Sequence, residues 1–511
     1  MSRRMKRMMD ATIRNPIGLL LLAWLAAGGQ LPPAIAGSLA SDEPPAAAGA
    51  GANLADTAAA ELRVSAAISA GQELAALQQI PLSERTPEQQ RRARSLMAQQ
   101  QHLQDAFDQF LKQPAVQSAL EQLRQSNSGT SLEPSDFGQV QAQLAQMEGA
   151  VLFYPLMLED RLELVLVTAD APPLRRTVAV SRADLEQAVA NFRESLEKQG
   201  NDPFTPAQQL YEWLIAPFEA ELAQAEAKAI LLSSDGALRT IPYAALHDGE
   251  QWLVERFAFN RVNPRSLADL GTDSLESLRP LIGGVSETQF EGTVGGRDVK
   301  LNDLPGVAQE VDLISELIPD ATVLLNDELS EVELLERVRN HNIVHLATHT
   351  LLMPDTPQDS LLLFGNEEIV TLQDLQNWDL SGVELVILSG GRTALDVELG
   401  DEIGLTSFSY LMQRAGAEAV MASLWDFSDF TPTVLMPEFY QALITGYSPA
   451  EALQQAQIAM IREAAGPEVR QVKASLTIIN ADTDSESEHP SLRGFAHPYH
   501  WAAFVLTGNG M

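Results

Sequence analysis

The second half of this sequence predicts an α/β fold, a mostly parallel sheet with helices on both faces. Three observations carry that expectation. From Pro280 onward short apolar runs alternate with helical stretches, namely Leu281-Ile282, Val323-Leu324-Leu325, Ile343 to Leu346, Leu385 to Leu388 and Ala419 to Ala422; strands covered on both faces read as continuous apolar runs. Before them, residues 148–275 mix hairpin and helix signals, the pattern of a smaller α+β lobe. Earlier still, residues 56–126 are polar and helical in period.

Taken in order, residues 1–36 read as a secretory leader. Arg3, Arg4, Lys6, Arg7 and Arg14 precede the apolar run Ile17 to Ala27, and Ala34-Ile35-Ala36 is a small-residue cleavage site. The run is short for a membrane span, so cleavage and export to the periplasm or beyond are expected, with an uncleaved signal anchor as the alternative. Residues 37–55, rich in Ala, Gly, Pro and Ser, read as a linker. In the helical region Leu96, Leu103, Phe107, Phe110 and Leu111 share one face, Thr86-Pro87 suits a helix start, and Pro114 should end or kink that helix. A hairpin packed on the main body and a partner-binding coiled coil both fit. Residues 127–147 read as a second linker. Val151 to Leu158 and Leu162 to Val167 flank a hairpin turn, and Ser181 with Asp184 caps a helix bearing Leu185, Val189, Phe192 and Leu196. Ile230-Leu231-Leu232 reads as a buried strand, residues 276–511 form the sheet-bearing core, and Gly283-Gly284 and Gly295-Gly296 read as turns.

Composition narrows the function classes. The formal net charge is −35 over 511 residues with 45% hydrophobic residues; without the basic leader the chain carries about −39. Such a surface repels phosphate backbones, so nucleic acid is not an expected partner. No cysteine occurs, which removes disulfides and lipid anchoring through cysteine. There is no Gly-x-x-x-x-Gly-Lys-Ser/Thr loop and no His-Glu-x-x-His motif, so neither a nucleotide cofactor nor a metal is expected. His497 and His500 have a ligand-like spacing without a third partner, and Asp482 to Glu488 reads as a solvated acidic insertion.

Six blocks then appear in order: Ser234-Asp235-Gly236 through Ile241-Pro242 to Leu246; Leu304-Pro305-Gly306 with Glu310; Val344-His345-Leu346-Ala347-Thr348-His349; Ala415-Gly416-Ala417 leading to Ser423-Leu424-Trp425; the helix from Ala450 to Ile461; and His497-Pro498-Tyr499-His500-Trp501 through Phe504. Together they resemble the CHAT domain family, caspase-like and separase-related modules often found beside helical repeats in bacteria. The resemblance runs from about Gly149 to Met511 and implies a caspase-like sheet.

In that family the histidine of the "ATHG" signature is the general base and a cysteine after the next strand is the nucleophile. By resemblance these positions are His349 and Gly391. Gly391 has neither thiol nor hydroxyl, and a thiol protease needs both a thiolate and an imidazole. The family's glycine after the histidine, implied in oxyanion binding, is here Thr350. Ser389 lies two residues before the missing nucleophile, about 7 Å back along a strand, and should miss His349; Ser360 sits on a loop of undetermined position. His345 is expected to be a core histidine bonded to backbone. Asp401, Asp426 and Asp429 fall where a specificity pocket is built in caspase-like folds, so an acidic pocket for a basic side chain and plain helix capping are both open. The resulting cleft would be lined by Thr350, Ser389, Gly390, Arg392, Asp401, Asp426 and Asp429.

The expectation is therefore an exported pseudoprotease that holds a peptide or protein partner or serves in assembly. The alternative is a hydrolase that uses His349 with an unrecognised nucleophile. The resemblance also suggests a homodimer formed through a sheet edge.

Overall fold

The structure, a computed structural model, describes residues 67–126, 133–264, 277–395, 405–462 and 494–511, the short strand 397–398 and positions 266, 270 and 275. The leader, the first linker, Asp401 and the acidic insertion lie outside the described residues.

Helices α1 (Ala67–Gln79), α2 (Pro87–Leu111) and α3 (Pro114–Ser126) open the described chain. Thr86 caps α2 in a reciprocal box with Gln89, its hydroxyl accepting from the Gln89 amide while the Gln89 side chain accepts from the Thr86 amide. Pro114 ends one helix and starts the next, as its missing donor requires. The helices pack on the main body. Ala67 and Ile68 are fully buried, and a Cβ on Gly71 would lie 1.6 Å from the Asp170 carbonyl oxygen, so α1 must carry glycine there. Within the segment expected to be a linker stands helix α4 (Phe137–Leu144), which buries Phe137, Val140 and Leu144. Three apolar residues on one helical face outweigh the Ser/Pro composition that precedes them.

Strands β1 (Ala150–Met157) and β2 (Leu162–Val167) form the expected hairpin, and β3 (Leu174–Val178) extends it antiparallel. Helices α5 (Arg182–Glu197) and α6 (Phe204–Leu214) lead to β4 (Ala229–Leu232) and β5 (Ala258–Arg261), and Ser181 caps α5 through the Asp184 amide at 3.2 Å. Next come β6 (Pro280–Gly284), the hairpin β7 (Glu291–Val294) and β8 (Arg297–Lys300), helix α7 (Pro305–Leu317), β9 (Thr322–Leu325), helix α8 (Glu331–Arg337) and β10 (Ile343–Ala347). A small sheet follows, made of β11 (Thr350–Leu351), β12 (Leu361–Leu363) and β13 (Ile369–Thr371). The chain continues through β14 (Leu385–Ser389), the pair β15 (Val397–Glu398) and β16 (Leu405–Thr406), helix α9 (Phe408–Ala415), β17 (Ala419–Ser423), helices α10 (Thr431–Ile444) and α11 (Pro449–Ile461), and β18 (Phe504–Gly508).

Among the described residues eleven strands make one sheet in the order β3-β2-β1-β4-β5-β18-β17-β14-β10-β6-β9. Only the β1–β2, β2–β3 and β17–β18 pairs are antiparallel. The expected division near residue 275 is therefore no break in the sheet. The last strand, β18, inserts between β5 and β17 and joins both halves. Alternate side chains of each central strand feed two cores. Ile343, Ala347, Leu385 and Ile387 pack with Val307, Val311 and Ile314 of α7 and with Val434 and Leu435 of α10. Val344, Leu346, Val386 and Leu388 pack with Leu334 of α8 and with Phe408 and Leu411 of α9. Gly283-Gly284 is not a turn but the end of β6, where a Cβ on Gly283 would meet Leu329 Cδ1 at 2.8 Å. Gly295-Gly296 does form the β7–β8 turn, with φ of 55° and 77°. Among the described residues no helix is long and apolar enough to cross a membrane.

Candidate functional site

Parallel register brings the two predicted positions to one edge. Ala347 of β10 pairs with Ser389 of β14, so His349 and Gly391 each lie two residues past a paired position at the carboxyl ends of adjacent strands. This is where open α/β sheets gather ligand and catalytic groups. The two loops touch: the Thr350 hydroxyl donates to the Gly391 carbonyl. A Cβ on Gly390 would lie 2.6 Å from Thr350 Cγ2 and 2.8 Å from the Thr348 carbonyl oxygen, so the approach of the loops dictates glycine at 390. Thr350 opens strand β11 opposite Leu362 and so has extended backbone, as its β-branch favours.

The loop after β14 is fastened to the end of β17. The Ser423 hydroxyl donates to the Gly390 carbonyl, the Ser423 amide donates to Thr393 Oγ1 at 2.8 Å, and the Ala394 amide donates to the Ser423 carbonyl at 2.7 Å. This fastening holds Arg392 in left-handed backbone, φ 59°, a conformation uncommon outside glycine, Asn and Asp. Arg392 Nε then donates to Asp426 Oδ2 at 2.8 Å. The other Asp426 oxygen, Oδ1, lies 2.1 Å from where a Cβ on Gly391 would stand. The space into which a side chain at position 391 would project is thus filled by a carboxylate.

His349 Nε2 lies 2.6 Å from the Asn302 carbonyl oxygen. A carbonyl only accepts, so Nε2 carries the proton and the neutral ring keeps its lone pair on Nδ1. Burial holds its pKa below the ordinary imidazole value, against the smaller opposing pulls of the Asn302 carbonyl and the Asp429 carboxylate. The ring is therefore neutral at neutral pH. Asp429 Oδ2 accepts from the Gly306 amide at 3.1 Å, so this carboxylate satisfies a donor at the start of α7. Its own carbonyl oxygen would stand 2.1 Å from a Cβ on Gly306, which accounts for the glycine of the Leu304-Pro305-Gly306 block. Of the three aspartates for which a pocket and helix capping were both open, Asp429 caps a helix, Asp426 is paired with Arg392, and Asp401 lies outside the described residues.

His345 is a core histidine, but its partners are side chains rather than the expected backbone. Nε2 donates to Glu310 Oε1 at 3.0 Å, and Nδ1 lies 3.2 Å from the Tyr440 hydroxyl. Ser389 donates to Glu310 Oε2 at 3.2 Å. Odd-numbered positions of β10 face α7, which places His345 over Glu310. These four groups are at most 5% exposed, and the network ties α7, β10, β14 and α10 together. Ser389 is thereby committed away from His349. Ser360 is fully buried and accepts from the Met353 amide at 2.9 Å.

Sequence reasoning missed Asn302 as the partner of His349 and Ser423 as the fastener of the loop. Glu310 carried a signal in its spacing from Leu304-Pro305-Gly306, whereas Asn302 carried none. Beside Asn302, an open cavity of about 620 Å³ is lined by Glu287, Asp303, Asp327 and Glu367 among others. His497 Nδ1 accepts from the Tyr499 amide, and His500 contacts Gln199 and Thr431. Among the described residues no three His, Asp or Glu side chains form a metal-sized cluster.

The CHAT domain family matches residues 205–509, more than half of the chain. Tetratricopeptide repeat protein 28 of Mus musculus is 23% identical over 357 residues, covering 60% of this chain and 13% of that protein. The Homo sapiens protein of the same name is 22% identical over 357 residues, with the same coverage. The chain thus spans a small fraction of these relatives. Among solved structures, the Saccharomyces cerevisiae separase–securin complex covers 72% of this chain, with 30% of that chain covered, at 11% identity and a TM-score of 0.46. The Arg-specific cysteine proteinase gingipain R covers 64%, with 74% of that chain covered, at 10% identity and a TM-score of 0.35. Likeness at that distance carries no functional argument. The family match and the motif-bearing loops at the sheet edge agree: this chain belongs to the CHAT domain family, with the caspase-like fold, and contains no cysteine.

Proposed function

We propose that this protein is an exported pseudoprotease that binds a peptide or protein segment at the carboxyl edge of its sheet without cutting it. One observation carries the reading: the nucleophile position is a glycine whose side-chain space is occupied by Asp426, while the neighbouring histidine loop is kept. A thiol attack needs a thiolate beside an imidazole, and neither a thiol nor a hydroxyl stands at Gly391. The basic, apolar leader ending in Ala34-Ile35-Ala36 supports export. The acidic walls of the open cavity that Asp303 helps to line, one residue from the Asn302 carbonyl that pairs with His349, support a basic segment as the occupant.

The test is retention on an immobilised peptide library, read by mass spectrometry, for the wild type and Asp426→Asn. The reading predicts retention of peptides enriched in Lys and Arg, weakened in the variant. Indifference of the protein to every peptide would end it.

A further inference from the structure

Among the described residues of the loop after β14, Arg392 is the one non-glycine residue with positive φ, and that conformation aims its side chain at Asp426. Backbone held off its preferred region at a candidate site points from the outlier to a role. Here the outlier delivers a guanidinium to a carboxylate at the mouth of the site. The pair is single-pointed, through Nε, and open to water, with Arg392 and Asp426 side chains 50% and 64% exposed. A guanidinium presents five donors, and a two-pronged match to a carboxylate is stronger than a single bond. An incoming arginine side chain therefore has a better geometry available than the resident one uses.

We propose that Arg392 is a built-in competitor: it occupies Asp426 as a tethered stand-in for the basic side chain of a ligand, which must displace it to bind. This rests on the peptide-binding reading above and adds its regulation. The loop is fastened on both sides of Arg392, by Thr350 on Gly391 and by Ser423 on Thr393 and Ala394. The side chain can swing away while the backbone stays. Binding then exchanges one guanidinium for another at Asp426, and the exchange weakens as salt screens both.

The probe is N-acetyl-arginine amide, with its neutral citrulline counterpart as control, titrated by calorimetry at low ionic strength. Arg392→Gly removes the side chain and tolerates the backbone; Arg392→Lys keeps a competing cation. The glycine variant should bind the arginine probe about two- to five-fold more tightly than wild type, the fold-change of an exposed ion pair. The lysine variant should stay within about two-fold of wild type, and citrulline should bind all three alike. Asp426→Asn should abolish the arginine preference in both backgrounds. Equal arginine affinity in wild type and Arg392→Gly, with Asp426 still required, would overturn the competitor while leaving a basic-side-chain cleft. Arginine and citrulline binding equally to every variant would overturn it too. The library retention experiment decides separately whether the cleft binds peptides at all.

Discussion

Replacing Gly391 by cysteine places a thiol at the proposed nucleophile position, and the geometry sets both its cost and its reactivity. Gly391 does not have positive φ, so an L side chain meets no backbone penalty there. Its Cβ would stand 2.1 Å from Asp426 Oδ1, 3.1 Å from Cγ and 3.3 Å from Cα. The worst contact is the tip of an exposed carboxylate, which rotation relieves at the expense of the Arg392–Asp426 pair. An exposed pair is worth about 0–1 kcal/mol, and stiffening the unfolded chain by removing a glycine returns about 0.4–1 kcal/mol. Net stability should change by less than about 1 kcal/mol, a Tm shift of no more than about 2–4 °C.

The thiol itself should be sluggish. A carboxylate beside it disfavours the thiolate, and a neutral His349 offers no ion pair. Since the natural chain has no cysteine, iodoacetamide labelling followed by intact mass reads this one group. Its rate against pH should titrate at or above the free value of about 8.5. A labelling pKa well below 7 that His349→Ala abolishes would refute the reasoning, because it would mean a working dyad awaits only its sulfur.

Three further outcomes follow from the packing and the buried groups. Gly306→Ala drives a Cβ to within 2.1 Å of the Asp429 carbonyl oxygen; as backbone must move, it should cost about 1–3 kcal/mol in urea unfolding, and a neutral effect would contradict the close approach. Glu310→Ala leaves the buried His345 and Ser389 donors without their carboxylate and should cost about 3–5 kcal/mol, read the same way. Burial lowers the pKa of His497 to about 4 and, with the neighbouring His497 adding to it, that of His500 to about 3, against 6.5 unfolded. The unfolded chain then binds more protons below pH 6.5, so this stability is complete above that pH and is lost as pH falls towards 4 and 3. Each histidine contributes up to about 1.4 kcal/mol per pH unit. His500→Gln should flatten the acid limb of a stability–pH curve, and an unchanged slope would contradict it.

The parallel strands were legible because burial on both faces demands unbroken apolar runs, and β6, β10, β14 and β17 are buried along their whole length. Strand β3 was not, since Leu174-Arg175-Arg176-Thr177-Val178 is an edge strand with only its ends apolar and its arginines paired to Glu163 and Glu221. Helix α4 was hidden because its start lies in a Ser/Pro stretch whose composition says linker. At the candidate site, the placement of His349 and Gly391 at the ends of adjacent strands was legible from local motifs. The filling of the side-chain space at Gly391 was not, because it depends on Asp426, 35 residues away and brought in by the β14–β17 pairing. The same holds for Asn302, which reaches His349 only because the loop before α7 crosses the end of β10.

The most direct test of the pseudoprotease reading is exposure of the purified chain to a diverse peptide library across a range of pH, with products read by mass spectrometry beside a His349→Ala control. The account predicts intact peptides in both samples, with a subset retained on the protein. Cleavage by the wild type that disappears in His349→Ala would contradict it and make this chain a hydrolase.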